Sequence, residues 1–258
     1  MATTEDHQFA HDLAEEAGRL LLELRAELVA QGVDSKELKA EGDLRSHELI
    51  MRRLGEERPG DAVLSEEGKG EEGRRGTDRL GASRVWVVDP LDGTREFGEH
   101  PRVDWAVHIA LVEDGAPTAG AVALPAQGRT LSTLAPSPLP PAPADVPRVI
   151  VSRSRPPAVA TFLAEAIGAE LVEMGSAGAK ASAVVLGDAD VYPHGGGQYE
   201  WDSCAPVAVA AAAGLWTSRL DGSPLVYNNA DPYLPDLLIC RLEYAEQVLE
   251  LVQQLGVE

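Results

Sequence analysis

The stretch Arg84–Thr94, which reads RVWVVDPLDGT, decides the fold. Its first half is a run of β-branched and aromatic residues, which is typical of a buried strand. The strand ends at Asp89, a proline restrains the next φ angle, and a second carboxylate, Asp92, follows. Gly93 permits a tight turn, and Thr94 offers a hydroxyl group at a helix start. The stretch therefore predicts a strand that delivers two carboxylates into one turn.

Such a turn can aim both carboxylates, the Leu91 carbonyl and several backbone N–H groups into one small space. Oxygen-only ligands suit magnesium, which binds few carboxylates and keeps waters that a substrate can displace. The alternative is an acidic turn that only caps a helix.

Upstream of this turn, the pattern predicts two helices, a strand and a loop. Apolar residues recur with helical spacing between positions 9 and 28, and a second helix fits about 44–57. A short strand at 62–64 leads to Glu66 and Glu67. The glycine-rich, charged segment 68–81 is predicted to be a mobile surface loop.

Downstream, the sequence predicts a hairpin and then a second lobe. Residues 105–112 and 118–124 form the hairpin. Six prolines within the 13 residues 135–147 mark a lobe boundary, since no helix or central strand tolerates them. We therefore predict an α+β lobe at 1–134 and an α/β lobe at 148–258. In the second lobe, predicted strands and helices alternate. The strands are at 149–152, 170–174, 190–192 and 237–241, and the helices are at 159–167, at 179–186 and after 202.

The net charge of −20 limits the partners of the 258-residue chain. A surface this acidic repels nucleic acids and anionic membranes, so we expect neither as a partner. Small phosphates are repelled as well, unless bound cations reverse the local field. The polar, acidic N-terminus and the lack of an apolar run of about 20 residues predict a soluble cytoplasmic protein.

Further carboxylates strengthen the case for a metal site. Glu66 and Glu67 follow a predicted strand, and Asp202 stands at the start of a helix. Taken singly, the glutamates fit surface charges and Asp202 fits an N-cap. If they converge on Asp89 and Asp92, their mutual repulsion requires protons or divalent cations.

Four motifs, in this order, resemble the signature of the lithium-sensitive, magnesium-dependent phosphatase superfamily: Asp43, Glu66-Glu67, the DPLDGT of 89–94 and the WDSCA of 201–205. This superfamily includes inositol monophosphatases, fructose-1,6-bisphosphatases and 3′(2′),5′-bisphosphate nucleotidases. The resemblance implies a layered α-β-α-β-α sandwich that combines the α+β and α/β lobes.

Within the superfamily, Arg95-Glu96-Phe97 resembles the segment that follows DGT in CysQ-type nucleotidases. The segments 151–155 and 175–180 are also similar to nucleotidase segments. This resemblance implies hydrolysis of 3′-phosphoadenosine 5′-phosphate to AMP in sulfate assimilation. The chain departs from the pattern in two places: the threonine expected before Asp43 is missing, and His194 stands where relatives often have arginine.

The resemblance also implies residue roles and two or three Mg²⁺ ions per active site. Metal ligands would be Glu66, Asp89, the Leu91 carbonyl, Asp92 and Asp202, and catalytic residues would be Asp43, Glu66, Asp89 and Thr94. One ion would activate a water that attacks phosphorus in line, and a second would stabilise the leaving oxygen. Substrate contacts would come from Glu66, Leu91, Asp92, Gly93, Thr94, Arg95, Arg153, Ser176, Lys180 and Asp202, with Arg155 as a further cation.

Several alternatives stay open at this point. Each arginine also fits a solvated surface charge. Inositol 1-phosphate or fructose 1,6-bisphosphate is an alternative substrate, and some relatives act as non-catalytic partners of the transcription machinery. The resemblance allows a homodimer. We predict that His108 is a core or sheet residue.

Overall fold

The computed structural model describes residues 1–68, 77–138 and 145–255. Two long helices open the chain, α1 (Thr4–Ala30) and α2 (Ser35–Glu57). Helix α2 begins well before the predicted residue 44, because the Asp34 side chain caps it by accepting hydrogen bonds from the backbone N–H groups of the first turn. Asp43 therefore lies inside a helix.

The first sheet carries the deciding stretch in its interior. Its strand order is β1-β2-β3-β4-β5, with β1 parallel to β2 and the other pairs antiparallel. The strands are β1 (Ala62–Ser65), β2 (Val85–Asp92), β3 (Ala106–Glu113), β4 (Ala116–Leu124) and β5 (Arg129–Ser132), and the short helix α3 (Thr94–Gly98) follows β2.

The second sheet has the order β7-β6-β8-β10-β9, parallel across β7, β6 and β8 and antiparallel beyond. Its strands are β6 (Arg148–Ser152), β7 (Glu170–Met174), β8 (Val191–Tyr199), β9 (Trp216–Ser218) and β10 (Tyr233–Cys240). Its helices are α4 (Ala158–Ile167), α5 (Ala177–Leu186), α6 (Glu200–Ala212) and α7 (Leu242–Gln254).

Five layers of helices and sheets pack around three apolar cores. The middle core is shared by both sheets and the helices between them. Helices α1 and α2 cover one face of the first sheet, α5 and α6 lie between the sheets, and α4 and α7 cover the outer face of the second sheet. Strand β2 serves two cores, because Val85 and Val87 face the middle layer while Trp86 and Val88 face α1 and α2. The predicted α-β-α-β-α sandwich is confirmed.

Two predictions from the sequence fall partly on undescribed segments. In the predicted loop 68–81, residues 69–76 lie outside the described residues, and 77–81 form a 3₁₀ turn. In the predicted connection 135–147, residues 139–144 lie outside them, so the division into two lobes stays a prediction. Among the helices that the structure describes, none combines the length and apolarity of a membrane span.

Candidate metal and phosphate site

The irregular turn at the end of β2 is held by hydrogen bonds from within the turn and from α2. Pairing with β3 becomes irregular between Asp89 and Asp92, so the strand leaves the ladder there. The Leu91 N–H donates to Asp89 Oδ1 at 3.0 Å, and Ser46 Oγ on α2 donates to the Pro90 carbonyl at 2.6 Å. These bonds fix the direction of the first carboxylate.

Carboxylates from three elements meet at this turn. One oxygen each of Asp89, Asp92 and Asp202 lie within 4.8 Å of one another, with both β2 residues buried. Asp202 arrives from the first turn of α6. Glu66, which follows β1, lies within hydrogen-bond reach of Asp89. The structure thus brings together residues that lie up to 136 positions apart in sequence.

This crowding makes ionisation costly. Burial, reinforced by Glu66, Asp92 and Asp202, raises the pKa of Asp89 well above its ordinary value. Burial is also the main reason that the pKa values of Glu66 and Asp202 rise to about 7, and neighbouring carboxylates add to the effect. Without a counter-charge, the cluster holds protons.

The residues present fit divalent cations. The buried Asp89 Oδ2 accepts no hydrogen bond from any donor in the described part of the chain. The surrounding donor atoms are carboxylate and carbonyl oxygens, the ligands that hard cations prefer. A cation would satisfy this oxygen and offset the repulsion among the carboxylates.

Asp92 has a different environment from Asp89. It accepts hydrogen bonds at the N-terminus of α5 from Ser176 Oγ at 2.5 Å, the Ala177 N–H at 3.1 Å and the Gly178 N–H at 2.6 Å. Burial alone would raise its pKa, but His108, the hydrogen bond from Ser176 and the charge of Lys180 lower it below the ordinary value. Asp92 therefore stays ionised and joins β2 to α5.

Thr94 and Asp43 meet on the α2 side of the turn. Thr94 Oγ1 lies 3.0 Å from the Leu91 carbonyl oxygen and 3.3 Å from Asp43 Oδ1. Burial, with a contribution from Glu67, raises the pKa of Asp43 to about 7. The exposed Glu67 acts on this pair through its charge. A carboxyl with this pKa can exchange a proton near neutral pH.

A cavity of about 270 Å³ opens beside the turn. Glycine backbone and hydroxyl-bearing and charged side chains from three segments of the chain line it. Its lining includes Gly93, Thr94, Arg95, Glu96, Ser152, Ser154, Arg155, Gly175, Ser176 and Lys180. Lys180 is buried, and its Nζ donates to the Ser176 carbonyl at 2.5 Å. Six of the eleven residues expected to contact substrate therefore border this cavity, and Glu66, Leu91, Asp92, Arg153 and Asp202 are not among its lining residues.

Arg153 is placed differently from the other expected cations. Its guanidinium lies 2.8 Å from Glu96 Oε1 and 2.9 Å from Glu99 Oε2. These two carboxylates hold the arginine at the C-terminal part of helix α3, and Arg153 is not among the residues that line the cavity. The Ser176 hydroxyl group is also engaged within the protein, since it donates a hydrogen bond to Asp92 and accepts one from the Ala179 N–H.

His108 is a site neighbour that sequence reasoning missed. It is a fully buried sheet residue, as predicted, but its Nε2 lies 3.2 Å from Asp92 Oδ2. A titratable residue in an otherwise apolar strand was the available signal. Its partner depends on a strand register, with Asp89 opposite His108, that periodicity does not reveal.

Comparisons with known proteins agree with this geometry. The chain is 51% identical over 243 residues to the 3′-phosphoadenosine 5′-phosphate phosphatase of Mycobacterium bovis, covering 91% of this chain and 88% of the relative. It is 32% identical to the 3′(2′),5′-bisphosphate nucleotidase CysQ of Escherichia coli, covering 74% and 80%. The predicted resemblance to CysQ-type proteins is confirmed.

A solved structure and a family model extend the comparison to the whole fold. CysQ from Bacteroides thetaiotaomicron superposes with a TM-score of 0.76 at 28% identity, covering 92% of this chain and 97% of that one. The model of the inositol monophosphatase family matches residues 3–138 and 145–256. The chain therefore belongs to the inositol monophosphatase family.

Proposed function

We propose that the protein is a magnesium-dependent phosphatase that hydrolyses 3′-phosphoadenosine 5′-phosphate to AMP and phosphate. The observation that carries the proposal is the convergence of Asp89, Asp92 and Asp202 beside a cavity lined by cations. The names of the relatives at 51% and 32% identity support this substrate. Free cysteine thiols, both buried, fit a reducing cytoplasm.

The ligand set divides into two groups. Glu66, Asp89 and the Leu91 carbonyl would hold one magnesium ion, and Asp89, Asp92 and Asp202 a second. Magnesium bound there supplies electrophilic stabilisation of phosphate charge and acidifies the attacking water. Asp89 belongs to both groups, in keeping with its central place among the carboxyls.

Thr94 and Asp43 would orient the water and take its proton. Their side chains form a pair, and the Asp43 pKa of about 7 suits a proton acceptor near neutral pH. The water oxygen would then form a bond to phosphorus while the bond from phosphorus to the ester oxygen breaks, and the leaving oxygen would take a proton from solvent to become the hydroxyl group of AMP. Backbone N–H groups of Gly93 and Thr94, which line the cavity, would hold phosphoryl oxygens.

The second phosphate of the substrate needs protein cations. Arg95, Arg155 and Lys180 line the cavity, whereas Arg153 would have to leave two carboxylates to reach it. We therefore assign the second phosphate to the first three residues. In a chain with a net charge of −20, this local positive charge selects a small anion at one place.

Phosphate release from a panel of substrates tests the proposal. We expect the highest kcat/KM on 3′-phosphoadenosine 5′-phosphate, with loss of activity in EDTA and inhibition by lithium. Equal or higher efficiency on inositol 1-phosphate or fructose 1,6-bisphosphate would instead identify a phosphatase for those esters. No hydrolysis of any ester with Mg²⁺ would favour a non-catalytic partner.

A charge variant tests the assignment of the second phosphate. Arg155→Gln should raise KM for the bisphosphate by about tenfold, the effect of one charge-assisted contact, and leave KM for inositol 1-phosphate nearly unchanged. Arg129→Gln, an exposed arginine outside this cavity, is the matched control. Equal effects of the two variants would contradict the assignment.

A further inference from the structure

His108 is a fully buried residue in β3 that the proposed mechanism does not use. Ala106 and Ala110, its neighbours on the same face of the strand, belong to the core between the two sheets. The imidazole therefore enters an apolar layer, where an unpartnered polar ring costs a few kcal/mol. Its Nδ1 is within hydrogen-bond distance of a carbonyl oxygen, whereas its Nε2 makes a close ionic contact with a carboxylate oxygen without hydrogen-bond geometry.

The imidazole ring bridges two elements that carry carboxylates. Nδ1 lies 3.0 Å from the carbonyl oxygen of Trp201, the residue directly before Asp202. Nε2 lies 3.2 Å from Asp92 Oδ2. One rigid ring thus spans the end of β2 and the first turn of α6.

The third side of the ring is closed by α5. A Cβ atom at Gly178 would lie 2.0 Å from His108 Nε2, so only glycine lets α5 approach this closely. The same glycine donates its N–H to Asp92 Oδ2 at 2.6 Å. Packing from β3, α5 and α6 therefore leaves the ring little freedom to move.

We propose that His108 is a positioning residue that sets the separation of Asp92 and Asp202 and thereby their affinity for divalent cations. It contacts no reacting atom and acts through the two carboxylates. The inference rests on the proposed function, since that function makes these carboxylates metal ligands. Hydrogen-bond partners of metal ligands commonly tune metal affinity by orienting the ligand atoms.

Two substitutions separate the two contacts. In His108→Asn the amide nitrogen takes the place of Nδ1, so the contact with Trp201 is kept and the contact with Asp92 is lost. In His108→Gln the amide nitrogen takes the place of Nε2, so the opposite holds. His7→Gln is the control, because it removes the contact of a histidine with Thr133 away from the site.

The measurement is binding of Mn²⁺ alone by calorimetry, with thermal unfolding in EDTA and kcat and KM alongside. We expect His108→Asn to weaken Mn²⁺ binding by about 10- to 100-fold. His108→Gln should bind Mn²⁺ with an affinity close to that of the wild type. The Tm in EDTA should fall for both variants, because each leaves a buried polar group without its partner, so only Mn²⁺ binding should distinguish the two variants. His7→Gln should bind Mn²⁺ like the wild type.

Several results would overturn the inference. Wild-type Mn²⁺ affinity in His108→Asn would remove the positioning role, as would equal losses in Asn and Gln variants that track a lowered Tm in EDTA. If His108→Asn does not fold, His108→Gln decides, and a loss beyond about tenfold refutes the role. A wild-type protein that binds no Mn²⁺ would refute the proposed function itself.

Discussion

At the scale of single residues, Asp89 and Asp92 show how surroundings set the chemistry of one residue type. They lie three positions apart, yet the pKa of Asp89 is raised and that of Asp92 is lowered. Asp92 receives donors from α5 and faces His108, whereas Asp89 Oδ2 accepts no hydrogen bond within the described part of the chain. Of these two aspartates, Asp89 therefore gains more from a bound cation.

Replacing Asp89 with Asn should separate stability from activity. The variant loses a buried carboxyl group, so its free energy of unfolding in EDTA should rise by about 1 kcal/mol or more. Phosphate release should fall by at least about 10²- to 10³-fold, the effect of one electrostatic group in the transition state. Thermal unfolding with EDTA or Mg²⁺ checks the first effect, and Asp188→Asn, at an exposed position, is the control. Stabilisation of the variant by Mg²⁺ equal to that of the wild type would contradict this account.

Replacing Thr94 with Val should lower kcat with little change in KM. Valine keeps the shape of threonine but loses the hydroxyl that faces Asp43 and the Leu91 carbonyl. The expected loss is about 10²- to 10⁴-fold, the range of general acid–base catalysis. Steady-state phosphate release checks it. Thr94→Ser keeps the hydroxyl and should retain most of the activity, and equal losses in both variants would argue against this role.

At the scale of elements, the site depends on two close approaches. Helix α2 packs directly on the turn at the end of β2 and on α3, since a Cβ at Gly42 would lie 2.9 Å from Leu91 Cδ2 and 2.7 Å from the Phe97 ring. This contact brings Asp43 to Thr94. On the other side, Asp92 caps α5 and ties it to the first sheet. The geometry of the site therefore follows from how α2 and α5 dock.

Replacing Gly93 with Ala tests the second approach. Gly93 has φ +81°, and an added Cβ would lie 2.9 Å from Ser176 Cβ and 3.2 Å from the Asp104 carbonyl oxygen. The variant should lose about 1–3 kcal/mol of stability and most of its activity, because α5 is pushed from Asp92. Gly128→Ala has a similar positive φ of +64° but open space around it. Urea unfolding and phosphate release compare the two variants. Equal losses of stability and activity in both would show that backbone strain, and not displacement of α5, is the cause.

At the scale of the whole molecule, Arg84 connects several elements at the far end of β2. Its guanidinium bonds Asp6 on α1, Asp61 before β1 and Glu113 at the end of β3. Burial opposes ionisation of Asp6, but hydrogen bonds from Arg84 and Thr3 outweigh it and lower its pKa to about 2. This network joins the outer helical layer to the first sheet.

Replacing Asp6 with Asn should reduce stability in a pH-dependent manner. The folded-state pKa of Asp6 lies below its ordinary value of 3.8. At pH values between these two pKa values, the unfolded chain therefore binds more protons than the folded protein. The contribution of about 2 kcal/mol is thus complete at neutral pH and is lost as pH falls from about 5 to about 2. Urea unfolding across this range, with Asp12→Asn as an exposed control, measures it. A difference between Asp6→Asn and wild type that does not depend on pH would contradict the prediction.

Much of the fold could be predicted from local patterns, and the errors have local causes. The apolar run Val85–Val88 correctly predicted a buried strand, whereas the lobe boundary at the six prolines stays a prediction. The start of α2 was placed too late, because the cap at Asp34 precedes a polar stretch with little apolar periodicity. The short strands β5 and β9 went unpredicted, since three or four residues carry too weak a pattern.

The sequence by itself determined the chemistry that each segment delivers: two carboxylates at the end of β2, one after β1 and one at the start of α6. Only the tertiary structure decided how these groups are used. The contact of His108 with Asp92 and the pairing of Arg153 with Glu96 depend on strand register and helix docking. Local periodicity reports which face of an element is buried, but contacts between distant segments arise only when the layers pack.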